Sequence, residues 1–169
     1  MKFRKAVTSD INEILSLVNQ AYRGAKGWTN ESSFVSGDRV EESEVLTYIS
    51  NLESYLFVLE INNKIEATIC VEKREKKAYI SFFAVNPNLQ AQGIGKQMIT
   101  NVENFSMNKL NVSQFVIAVL QKRTELIEFY YRRGYIMTDK VIAYPQELNV
   151  GKPMIKNLKV IYLEKKYTK

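Results

Sequence analysis

Between Tyr55 and Val85 the chain alternates strand with turn and leaves no room for a helix. Tyr55 to Ile61 and Ile65 to Lys73 are runs of β-branched and aromatic residues, and the Asn62-Asn63-Lys64 between them is the punctuation of a hairpin. A charged turn at Glu75-Lys76-Lys77 leads into a third run, Ala78 to Val85. Three such runs form an antiparallel meander, and the rest of the chain must pack on it.

The flanking segments change period. Asp10 precedes apolar residues at Ile11, Ile14, Leu15, Val18 and Tyr22, the spacing of one helical face, and Glu13 stands where a capping box would place it. Residues 23–38 are rich in Gly, Ser, Asn and Thr and read as a long loop, followed by a short helix over Glu41 to Ser50. Helical spacing returns from Ile94 through Met98, Ile99, Val102 and Phe105. Phe115 to Val119 is a short buried strand. Thr124 is expected to cap a further helix with Leu126, Ile127 and Tyr130 on one face, which Gly134 ends in a left-handed conformation. Tyr135 to Met137 and Ile155 to Leu163 read as closing strands. The order predicts a mixed α/β sheet with short crossovers.

A chain of 169 residues suits one domain, expected here over residues 1–169. No apolar run approaches the roughly 20 residues that cross a bilayer, so no membrane association is expected. The basic start, Met1 to Lys5, leads into Thr8-Ser9-Asp10 and lacks the apolar stretch of a secretory signal. With Cys70 as the one cysteine there is no disulfide framework, and both features point to a reducing cytoplasm. Histidine is absent altogether, which removes imidazole-based triads, dyads and zinc sites, so no metal is expected. The formal charge is +6, with six lysines and one acid between Gly151 and Lys169. That tail lacks the arginines and interleaved aromatics of a nucleic-acid platform and reads better as a solvated strand and terminus.

The chemistry concentrates between Phe82 and Lys96. A strand stops at Asn86-Pro87-Asn88 and passes through Gln90-Ala91-Gln92-Gly93-Ile94-Gly95 directly into a helix. Helix-start amides are unpaired and share a direction, the helix dipole favours negative charge, and glycines let an anion approach closely. This is a phosphate cradle. A dinucleotide fingerprint would want a third small residue where Met98 stands, and a nucleotide P-loop would want Gly at Gln90 and Ser or Thr at Gln97; both patterns fail.

The strand, the Gln90-x-x-Gly93-x-Gly95 loop and the helix resemble the GCN5-related N-acetyltransferases (GNAT), whose Q/R-x-x-G-x-G/A loop binds acetyl-CoA. A second match follows at Phe129-Tyr130-Tyr131-Arg132-Arg133-Gly134-Tyr135, like the family's F-Y-x-x-x-G-F/Y segment. The resemblance implies a mostly antiparallel twisted sheet of six to seven strands, flanked by about four helices and splayed between strands 78–85 and 115–119. It assigns cofactor contact to Phe83, Ala84 and Val85 of the strand, to Gln90, Ala91, Gln92, Gly93, Ile94, Gly95 and Lys96 of the loop, and to Tyr130. Where relatives often carry an asparagine for the pantetheine arm, this chain has Arg123, which could instead reach a phosphate. Ala21-Tyr22-Arg23-Gly24 and Gly27-Trp28-Thr29-Asn30-Glu31 look like the acceptor-side loop of a poorly characterised branch of these enzymes.

The implied activity is transfer of an acetyl group from acetyl-CoA to a primary amine, with a small molecule as the expected acceptor. A non-catalytic acyl-CoA sensor and a protein acetyltransferase are the alternatives. Backbone amides near Phe83 to Val85 would polarise the thioester carbonyl, each such donor contributing about 2.7–4 kcal/mol by analogy. Tyr130 would act as general acid toward the leaving thiolate, although its apolar-face spacing suits an ordinary core tyrosine as well. Glu72 and Glu31 are candidate bases, with a base acting through water equally open. Trp28 and Phe34 are candidate walls of the acceptor pocket, with Glu31 beside them. Whether the chain pairs with a second copy, and whether residues 139–156 cover the site or a partner, stay open.

Overall fold

The computed structural model describes residues 1–148 and 150–167; the last residues of the basic tail, Thr168 and Lys169, and Asn149 of the 139–156 stretch lie outside the described residues. In chain order the elements are β1 (Lys2–Lys5), α1 (Ile11–Arg23), β2 (Val35–Ser36), α2 (Glu42–Ser50), β3 (Ser54–Ile61), β4 (Lys64–Arg74), β5 (Lys77–Val85), α3 (Ile94–Lys109), β6 (Gln114–Leu120), α4 (Thr124–Tyr131), β7 (Ile136–Ala143), β8 (Lys152–Pro153) and β9 (Lys159–Lys166). Seven strands form one sheet in the order β1-β3-β4-β5-β6-β9-β7, and β2 pairs with β8 apart from it. All pairings in the large sheet are antiparallel except β5 with β6. The expected mixed α/β architecture with four helices is what the chain adopts.

The meander forms where the turns demand it. Asn62 and Asn63 take φ of 50° and 60°, the left-handed pair of a tight hairpin turn, and Ile61 faces Lys64 across it. Each face of the sheet then buries its own core. Phe57, Leu59, Ile69 and Val71 pack with Met98, Ile99 and Val102 of α3, whereas Leu56, Val58 and Cys70 pack with Ile14, Leu17 and Val18 of α1. A third cluster, built on Val35, Leu120, Tyr144, Leu158 and Val160, closes the far end.

Three expectations are corrected, and one strand is added. The helix over Asp10 to Tyr22 forms, but without a capping box: the Asp10 carboxylate accepts from Val7 N–H at 2.8 Å and from Arg4 Nη1 and Nη2 at 2.7 and 3.0 Å. Glu13 reaches across to accept from Ile65 N–H at 3.0 Å, tying α1 to β4. Thr124 is the first residue of α4, not its cap, and its hydroxyl donates to Glu125. The closing strands run over 136–143 and 159–166, and β9 enters between β6 and β7, so the chain's last strand is interior. Lys2 to Lys5, read as a basic start, is an edge strand on β3.

Arg4 holds the Asp10 carboxyl below its usual range through these hydrogen bonds. A depressed carboxylate contributes stability above its unfolded pKa, near 3.9, and loses it as pH falls through the folded value. Asp10→Asn is expected to lose about 1–3 kcal/mol in urea unfolding at neutral pH. The gap to the wild type should narrow steadily below about pH 4.

Candidate active site

The site begins with one surplus residue in β5. Cys70 faces Ser81 and Thr68 faces Ala84, so Phe82 and Phe83 together oppose the single residue Ile69. That is a β-bulge, and Phe82 adopts φ of 50°, a left-handed conformation rare for a bulky side chain. Because strand side chains alternate, one extra residue swaps the faces. Ala78 and Ile80 pack on the α3 side, but past the bulge it is Phe83 and Val85 that point there, while Phe82 and Ala84 turn toward α1. Tyr48 covers Phe82 at 4.7 Å and anchors the strained residue.

The bulge also turns β5 away from its neighbour. Parallel pairing with β6 covers only Ala78, Tyr79 and Ile80, opposite Phe115, Val116 and Ile117. Beyond Ile80 the strands part, as the resemblance implied for 78–85 and 115–119. With Ala84 paired to β4, the backbone of Phe83 and Val85 faces the opening. Tyr22 Oη donates to the Phe83 carbonyl at 3.2 Å, and Gln90 Nε2 donates to the Val85 carbonyl at 3.3 Å.

The opening leads to the start of α3. Gly93 is the N-cap with φ of 83°, and a Cβ placed there would meet nothing within 4 Å, so the cradle is open. At Gly95 a Cβ would lie 3.3 Å from the Phe83 ring and 3.4 Å from the Phe129 ring; glycine lets two aromatic walls close on the helix. Ile94 is buried in the core and fixes the helix start to the sheet. A cavity of about 460 Å³ runs along this path, bounded by Phe83, Val85, Gly93, Gly95, Trp28 and Phe129. Its charged lining is Lys96, Arg123, Arg132 and Arg133, with no carboxylate among the described residues. Arg133 lies 3.3 Å over the Phe129 ring, and its Nε is buried without a partner. An elongated anion with an apolar stem fits this lining.

The predicted site residues divide. Phe83, Ala84, Val85, Gln90, Ala91, Gly93, Gly95, Lys96, Arg123 and Trp28 all line the cavity. Gln92 is exposed at the rim, with Nε2 at 3.5 Å from the Asn88 carbonyl. Tyr130 lies just behind the wall, 3% exposed, between the Phe129 and Tyr135 rings at 5.4 and 5.7 Å. Burial pushes its phenol far above the usual value; Tyr22 adds to the rise, and Arg123 and Arg133 oppose it. Those three neighbours line the cavity. Glu72 sits toward the paired end of β5, facing Tyr79 and bonded to Arg74 at 2.8 Å, away from the opening. Phe34 packs with Val35 and Leu120 in the third cluster.

Glu31 is buried in an ion network. It accepts from Arg123 Nη1 at 3.0 Å and from Arg23 Nη1, while Arg123 Nη2 donates to the Thr29 carbonyl at 3.2 Å. Arg23 Nη2 continues to the Val150 carbonyl at 2.7 Å. Residues 150–154 therefore fold onto the 24–38 loop, where β2 pairs with β8 and Met154 N–H donates to the Phe34 carbonyl, while 139–143 belong to β7 and pair with β9. Arg123 serves this network, and its guanidinium lies 5.0 Å from the Tyr22 ring. Sequence reasoning left out Tyr22, Arg132 and Arg133 as site residues. Tyr22 carried the signal of helical spacing and a place in the Ala21–Gly24 stretch that resembles the acceptor-side loop, whereas the two arginines lay inside a recognised motif and both line the cavity.

The chain matches the family model described as Acetyltransferase (GNAT) family over residues 13–135. It is 27% identical over 142 residues to S-alkylcysteine N-acetyltransferase of Bacillus subtilis (strain 168), a match covering 79% of this chain and 77% of that protein. Among solved structures it is similar to the PaiA N-acetyltransferase of Thermoplasma acidophilum in complex with coenzyme A, with a TM-score of 0.77 at 17% identity and 98% of each chain covered. It is also similar to a GNAT family acetyltransferase of Elizabethkingia anophelis with acetyl-CoA bound, with a TM-score of 0.64 at 22% identity over 75% of this chain and 84% of that one. These likenesses show the fold.

Removing one member of a buried ion network leaves the others uncompensated. Glu31→Ala is expected to cost about 3–5 kcal/mol in chemical unfolding. A loss under about 1 kcal/mol, the range of an exposed ion pair, would mean that the network does not hold the loop.

Proposed function

The chain belongs to the acetyltransferase (GNAT) family, and on that premise we propose that it moves an acetyl group from acetyl-CoA to the primary amine of a small-molecule acceptor by direct attack. The observation that carries this reading is the parting of β5 from β6 after Ile80 into a cavity that meets the open Gly93 cradle and is free of carboxylates among the described residues. An acyl thioester with a polyanionic tail suits both ends. When bound, the cofactor supplies an activated acyl group.

The chain's own residues would act as follows. Amides of the Gly93–Lys96 turn hold the pyrophosphate, assisted by Lys96. The backbone edge at Phe83 and Val85, unpaired with β6, would pair with the pantetheine arm and present an N–H to the thioester oxygen. Tyr130, kept protonated by burial just behind the cavity wall, would return a proton to the leaving sulfur. Glu31 is held by Arg23 and Arg123, and Glu72 by Arg74 at the paired end of β5, so the acceptor would enter neutral and give up its proton through water. The relative named for S-alkylcysteine supports a small amine, as does the aromatic lining from Trp28, Phe83 and Phe129.

Calorimetric titration with acetyl-CoA tests the reading, with Gly93→Trp filling the cradle. Micromolar binding that the substitution abolishes is expected, and absence of binding to the wild type would refute both the transferase and a sensor. Product from an amine panel separates those two. Tyr130→Phe should lower kcat by about 10²–10⁴ with little change in the KM for acetyl-CoA. Because the Tyr130 phenol is held above its ordinary value near 10, this group should produce no alkaline fall in kcat below that pH. Over the same range kcat/KM should rise about tenfold per pH unit up to the acceptor's own amine pKa.

A further inference from the structure

The open edge of β5 is already capped from within the protein. The Val85 carbonyl accepts from Gln90 Nε2 at 3.3 Å, and the same side-chain amide accepts the Trp28 N–H on Oε1 at 2.5 Å. Both contacts belong to one rigid planar group, so the amide leaves neither without disturbing the other. Next to it Gly27 has φ of 128° and lies against Pro87 and the Gln90 amide, while beyond Trp28 the loop is fixed again by the bonds of Arg123 to Thr29 and Glu31. Only a short stretch around Gly27 and Trp28 is thus held by Gln90. Trp28 is half exposed and its ring lies 6.2 Å from Phe129, on the cavity wall.

We propose that Gln90 is a positioning residue that stands in for the donor's arm and releases the Trp28 segment when the donor binds. The proposal rests on the acyl-CoA reading, because it needs an incoming amide N–H to take the Val85 carbonyl. Once that carbonyl is taken, Gln90 Nε2 has no partner there and the amide rotates away. Its Oε1 then leaves the Trp28 N–H, and the peptide bonds flanking Gly27 are free to turn. Gln90 would then oppose donor binding through its side chain, the reverse of what a phosphate-loop glutamine acting as a ligand does.

That sign makes the test direct. Trp28 is the only tryptophan in the chain, so its emission reports this segment alone. Coenzyme A is titrated into the wild type, Gln90→Ala and Gln90→Glu, following heat by calorimetry and Trp28 by fluorescence. Gln90→Ala, with no cap to displace, is expected to bind coenzyme A about three- to tenfold more tightly, the range of one neutral hydrogen bond. Its Trp28 emission should differ from the wild type before any ligand is added, and the change caused by coenzyme A should shrink several-fold. Gln90→Glu keeps an acceptor for the Trp28 N–H, so its ligand-free emission should stay with the wild type. Weaker binding by Gln90→Ala, or an equal coenzyme A response in Gln90→Ala and wild type, would overturn the proposal while leaving the cofactor assignment intact. No binding by the wild type would overturn both.

Discussion

The bulge at Phe82 is the constraint on which the site depends. Without the extra residue β5 would continue in register with β6, and Phe83 and Val85 would turn their side chains toward α1. With it, the strand leaves β6 after Ile80, its backbone edge is exposed to a cavity, and Phe83 becomes a wall beside Gly95. A left-handed aromatic residue costs on the order of 1–2 kcal/mol, so it persists only where packing fixes it. Tyr48 on one side and the pairing of β4 with β5 on the other do so.

A second device holds the 24–38 loop. Glu31 lies between Arg23 and Arg123, and through them the 24–38 loop is bound to the start of α4 and to the Val150 carbonyl. Burying two cations and one carboxylate carries a desolvation cost, which the extra bonds to Thr29 and Gly37 offset. The same network places Arg123 over Tyr22, whose hydroxyl reaches the Phe83 carbonyl. The β5 edge is thus tied at two points, to α1 through Tyr22 and to the 24–38 loop through Gln90, and the further inference concerns the second.

Much of the fold was legible because its signals are local. Asn62-Asn63 specifies a tight hairpin by its backbone preference, Gly93 stands at a left-handed helix cap and Gly95 where two rings need room, and the apolar faces of α1 and α3 repeat at helical spacing. What was not legible is non-local. Nothing in Phe82-Phe83 announces a bulge, because two aromatics suit a regular strand equally well. Insertion of β9 between β6 and β7 is a pairing between segments distant in sequence, which no local signal carries. Asp10 had the sequence context of a cap, but Arg4 of β1 and the Val7 amide took its carboxylate, and Ile65 took Glu13. Arg123 fell in a cofactor position by motif spacing, whereas its partners, Thr29 and Glu31, lie some ninety residues earlier.

The central claim is that the backbone of Phe83 to Val85, freed by the bulge, is the edge that receives the cofactor. Amide hydrogen exchange resolved by residue, with and without coenzyme A, tests it most directly. Slower exchange at Phe83 and Val85 together with the Gly93–Lys96 turn is predicted. Unchanged exchange along 83–85 in a protein that binds coenzyme A would contradict the account and place the cofactor elsewhere.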